Sequence, residues 1–125
     1  MDKNIKNLLL SSVIMIVIDF FYLKTIGSEV FIPMIEKIQK EKIIFNFYAA
    51  IACYLFITIS LNYFILSSNK SPFDAFILGV CIYGVYETVN LATFNKWKLK
   101  AAIIDTVWGG ILLYLTTYLT YKIKL

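Results

Sequence analysis

Four apolar runs separated by polar breaks decide what this chain can become. They cover 8–24, 43–66, 73–94 and 99–121, and about 20 apolar residues is what one helix needs to cross the hydrocarbon of a bilayer. The expected fold is all-α: a polytopic membrane protein, an antiparallel bundle of four transmembrane helices. Composition agrees, with 60% hydrophobic residues and a mean hydropathy of +0.76, where soluble domains hold roughly 45–50% apolar residues. Four spans use roughly 80 residues, so these 125 residues leave no room for a soluble catalytic or nucleotide-binding domain beside the bundle.

Charge and cysteine usage exclude several chemistries. All 12 basic residues are lysines, against 8 acids, and the chain contains no histidine. Imidazole-ligated zinc or haem, and nucleophiles that depend on a His base, are therefore ruled out. The lysines flank the apolar runs, where they can snorkel to headgroups, and form no basic stripe of the kind nucleic acid needs. Cys53 and Cys81 lie inside apolar runs without CxxC spacing, which suggests small packing residues. Lysines before the first run resemble a signal peptide, but no small-residue cleavage site follows Leu23 or Lys24, so the run reads as a retained span.

The punctuation gives the order of elements. Between spans one and two, Gly27, Ser28 and Pro33 suggest a break, and Met34, Ile35 and Ile38 among charges suggest a short interfacial helix. Span three has a start signal: Ser71 as N-cap, Pro72 at the first helical position and Asp74 completing a capping box. Trp97 between Lys96 and Lys98 reads as an interfacial anchor. Four spans put Lys3, Lys6, Lys70, Lys122 and Lys124 on one side and Lys24, Lys37, Lys40, Lys42, Lys96, Lys98 and Lys100 on the other. The positive-inside rule places the second group in the cytoplasm by a narrow margin.

The residues that matter for function are the acids inside the spans. At 1.5 Å per residue, Asp19 is about 7 Å from the end of its span, Glu87 about 10 Å and Asp105 about 9 Å, all from the same membrane face. Helical spacing places Tyr83, Tyr86 and Asn90 beside Glu87, and Ala101, Ala102, Trp108 and Gly109 beside Asp105. Span two is expected to enter this slab with Asn46, Ala49, Ala50 and Cys53. A charged aspartate at mid-helix costs about 2.5–3.5 kcal/mol to insert, so the three should face inward. Packed together they cannot all stay ionised. Protons, a bound cation, or a folded-in lysine such as Lys24 or Lys100 must supply positive charge. The expected ligand contacts are Asp19, Tyr83, Tyr86, Glu87, Asn90, Asp105 and Trp108, with Asp19, Glu87 and Asp105 as the metal candidates.

The segments Tyr83-Gly84-Val85-Tyr86-Glu87-Thr88-Val89-Asn90-Leu91-Ala92-Thr93, Trp97 and Asp105-Thr106-Val107-Trp108-Gly109, with Asp19 in the first span, resemble a family of four-span membrane proteins, domain of unknown function 2177. That family often has Asp where this chain has Glu87, Trp at Tyr22 and Pro at Lys98. The resemblance implies a four-span bundle with a motif centred on the same acids, and no particular activity. Three functions compete at this point: binding or moving a proton, cation or small amine-bearing ligand; a membrane enzyme acting on a lipid or isoprenoid; and a structural subunit of a membrane complex. The partners expected are the lipid bilayer and either a second copy or another membrane protein, with no nucleic acid; no cofactor beyond a bound cation is indicated.

Overall fold

A computed structural model describes residues 2–123; Lys124, counted among the interfacial lysines above, lies outside them. Helix α1 spans Lys3–Tyr22 and runs on through a π-helical stretch, Leu23–Phe31, into α2, Ile32–Gln39. Helix α3 is Phe47–Phe64, α4 Pro72–Thr93 and α5 Leu99–Ile123. Among the described residues four continuous helices are long and apolar enough to cross a membrane: Lys3–Gln39, Phe47–Ser68, Pro72–Thr93 and Leu99–Ile123.

The helix between spans one and two is present, but the expected break before it is not. The chain widens instead. Ile32 N–H donates to Gly27 O, five residues back, and the hydroxyls of Thr25 and Ser28 reach back to Phe21 O and Lys24 O at 2.8 and 2.7 Å. Pro33, which has no N–H to donate, falls in the first turn of α2, where that loss is tolerated. The continuous helix of 37 residues would be about 55 Å long at α-helical rise, well over the hydrocarbon thickness. Its far end packs on the start of α5: Met34 shares a small core with Trp97, Ala101 and Ala102. The helix stops at Lys40, which takes a left-handed conformation (φ 61°).

Helix α4 starts as its sequence predicts. Ser71 Oγ accepts from Asp74 N–H, and Asp74 closes the box onto the Ser71 backbone. Ser71→Ala should cost about 1 kcal/mol and Ser71→Gly only a few tenths; thermal unfolding in detergent checks the order.

Helix α5 is the centre of the bundle. It packs on α4 along its length and on α1, which in turn packs on α3, while α3 meets α4 only thinly. All four spans supply the main core through Met15, Ile57, Leu61, Ala75, Leu112 and Leu113. The α4–α5 seam is close because it is built on glycine: a Cβ placed on Gly79 would lie 2.1 Å from Gly109 O. Cys53 and Cys81 are exposed on the outside of the protein and are not interior packing residues.

Candidate functional site

The carboxylate layer forms nearly two turns in from the end of the bundle that carries the α4–α5 connection. Asp19 on α1 and Glu87 on α4 are buried, at 6% and 1% exposure, and Asp105 on α5 is half-buried. Each receives donors from a different helix or turn. Asp19 accepts from Trp108 Nε1 at 2.8 Å on one oxygen and from the Tyr54 hydroxyl on the other. Asp105 accepts from the Tyr22 hydroxyl at 3.1 Å. Glu87 accepts from Trp97 Nε1 at 2.8 Å.

These bonds join into a continuous chain of contacts. The rings of Tyr22 and Trp108 stack at 4.5 Å, nearly parallel at 8°, so the donor to Asp105 lies flat against the donor to Asp19. Beyond Asp105, the Glu87 carboxyl lies close enough for the two acids to interact electrostatically. The order is Tyr54, Asp19, Trp108, Tyr22, Asp105, Glu87, Trp97, and it crosses from α3 through α1 and α5 to α4. Two polar atoms in this region are buried without a partner, Glu87 Oε2 and Asn90 Nδ2. They sit three residues apart on one face of α4, one needing a donor and the other an acceptor.

The sequence profile of the family described as "Predicted membrane protein (DUF2177)" matches residues 4–122. The chain belongs to that family. As a DUF2177 member it is a multi-pass integral membrane protein, and the matched span contains all three acids and every donor just described. No curated relative and no solved structure matches it.

Within this DUF2177 fold the residues expected from sequence take different positions. Asp19, Glu87, Asp105 and Trp108 are brought together, with Asn90 buried beside them. Tyr83 packs its ring on Gly109 and lies near Asp19 and Asp105 without bonding to either. Tyr86 is 56% exposed and turns outward beside Asn90. Among the described residues no three acids or cysteines converge in a group that could hold a metal ion; Asp19 is set apart from Asp105 by the stacked Trp108 and Tyr22 rings. Neither lysine expected to fold in is placed at the acids: Lys24 lies over the Phe20 ring, 5.8 Å from its centroid, and Lys100 opens onto a surface cleft.

Three donors were not among the expected contacts. Trp97 does not point out as a headgroup anchor; it is buried and folds back onto Glu87. Tyr22 is one turn from Asp19 but serves Asp105 on another helix. Span two contributes Tyr54 and not its first turn, since Asn46 is exposed and used up as the N-cap of α3, accepting from Ala49 N at 3.1 Å. Depth arithmetic could have found Tyr54: seven residues from the start of α3 is about 10 Å, the depth of the acids.

Proposed function

We propose that this membrane protein binds and moves a proton at the Glu87–Asp105 pair. The observation that supports it is Glu87 Oε2, an acceptor buried to 1% exposure with no donor, on a carboxyl beside a second carboxyl. Two carboxylates about 4 Å apart repel by about 4 kcal/mol even at an effective dielectric of 20. A single proton shared between them removes that repulsion and supplies the missing hydrogen bond. Glu87 is too enclosed to admit a larger guest by simple entry, whereas a proton needs only a path of hydroxyl and carboxyl groups. Tyr22, hydrogen-bonded to Asp105, lies near all three acids and provides such a step.

The test is infrared difference spectroscopy of the full chain in liposomes across a pH titration. A protonated-carboxyl carbonyl band should be present and should vanish in Glu87→Gln and in Asp105→Asn. It should survive Asp19→Asn, because Asp19 already accepts from two donors and is not a member of the pair. Proton uptake after an acid pulse should fall with the band. A band that persists in both pair variants, or that depends equally on Asp19, refutes the assignment.

A further inference from the structure

Outside the carboxylate layer, the strongest unexplained feature is a cleft of about 650 Å³ between the helical extension and the start of α5. Four lysines line it, Lys37, Lys96, Lys98 and Lys100, and Glu29 is its one acid. Its floor is apolar, made by Met34, Ile38 and Ile104 among others. The cationic character is more pronounced than the lysine count implies. Three of the four ammonium groups belong to residues at or just before the N-terminus of α5, the positive end of a 25-residue helix dipole. An acidic residue would normally occupy that first turn, and α5 has none there. Its first intrahelical bond runs from Ala102 N to Lys98 O at 3.1 Å, so the N–H groups of Leu99, Lys100 and Ala101 precede the ladder. Lys98 N–H is met only by the Met34 thioether at 3.4 Å, a weak acceptor. Among the described residues none of the four lysines forms a salt bridge.

From this we infer that the cleft binds the phosphate-bearing headgroup of an anionic bilayer lipid. The lysines and the positive end of the α5 dipole are complementary to a phosphate, and Glu29 is the one acid lining the cleft to compete with it. The apolar floor selects a lipid over a soluble anion. Ile104 adjoins Asp105, so the floor descends toward the depth of the carboxylate layer, where an acyl or isoprenoid chain belongs and a free ion does not. This site is independent of the proton reading, since none of its lysines contacts the acids.

The experiment uses the full chain in neutral detergent with phosphatidylglycerol carrying a fluorescent acyl chain, and the matching phosphatidylcholine as control. Phosphatidylglycerol should bind more tightly. The variant Lys96→Gln/Lys98→Gln/Lys100→Gln should lose about two orders of magnitude in affinity, at about fivefold per lysine, while Lys3→Gln/Lys6→Gln at the opposite end changes little. Glu29→Gln, which removes the one opposing charge, should tighten binding by about fivefold on the same scale. Equal binding of the two lipids, or a triple variant that binds like the parent, overturns the proposal. So does displacement of the probe by inorganic phosphate as readily as by unlabelled phosphatidylglycerol, which would assign the cleft to a soluble anion. If the triple variant fails to fold, Glu29→Gln decides: unchanged affinity overturns the site.

Discussion

Gly79→Ala is expected to destroy the native bundle, although it adds a single methyl group. The new Cβ would stand 2.1 Å from Gly109 O, 2.7 Å from Gly109 C and 3.0 Å from Gly110 Cα. All three are backbone atoms of α5, so no rotamer change relieves the overlap and the two helices must separate. Overpacking a well-filled core costs about 1–3 kcal/mol when side chains can give way; here they cannot, and the loss should exceed that range. The other glycines set a graded control. At Gly109 the nearest atoms are Cγ, Cδ1 and Cβ of Tyr83, at 2.3 to 2.6 Å. Part of that clash lies in a ring that can swing, so Gly109→Ala should be destabilising but less severe. At Gly84 only Thr106 Cγ2 comes close, at 3.6 Å, which is ordinary contact, so Gly84→Ala should be neutral within a few tenths of a kcal/mol. Folded yield and thermal stability in detergent should rank Gly79 below Gly109 below Gly84. Equal tolerance at Gly79 and Gly84 would mean that the α4–α5 backbones do not approach as described.

What the sequence made legible follows from what is local. The capping box at Ser71 is a contract among four neighbouring residues, and it forms as written. The common depth of Asp19, Glu87 and Asp105 follows from rise per residue and helix direction, and those acids do share one layer. The donors were harder to read because hydrogen bonds between helices depend on rotation about each axis, and apolar spans without a clear amphipathic stripe do not encode it. Span two shows the consequence: its expected entry into the layer is Asn46, which caps the start of α3 instead, while Tyr54, two turns further on, has the reach and the facing. Trp97 was misread for a related reason. A tryptophan between two lysines at a helix end fits an interfacial anchor by composition alone, and only the fold-back of the α4–α5 turn sends its N–H to Glu87. The π-helical stretch was invisible because Gly27, Ser28 and Pro33 are helix breakers by propensity, and packing of Met34 on Trp97 and Ala101 overrides it.

Asp19→Leu should separate two processes that usually move together, insertion and packing. Removing the carboxylate from span one favours its entry into the bilayer by about 3 kcal/mol. In the folded bundle the same change strands Trp108 Nε1 and the Tyr54 hydroxyl, and an unmet buried donor costs about 1–3 kcal/mol, so about 2–6 kcal/mol is lost for the two. The variant should insert at least as well as the parent yet fall apart more readily in detergent. Asp19→Asn keeps one acceptor and should fall between them. Trp108→Phe removes one donor but keeps a ring against Tyr22, so its cost and that of Asp19→Asn should be non-additive by about 0.5–3 kcal/mol in a double-mutant cycle. The stack gives the cycle a further readout. Because Tyr22 is held between Trp108 and Asp105, loosening Trp108 should alter the carboxyl band of the Glu87–Asp105 pair without touching either acid. An additive cycle and an unaltered band would mean that Asp19 is interhelical glue alone, and that the chain of contacts from α3 to α4 carries nothing between its ends.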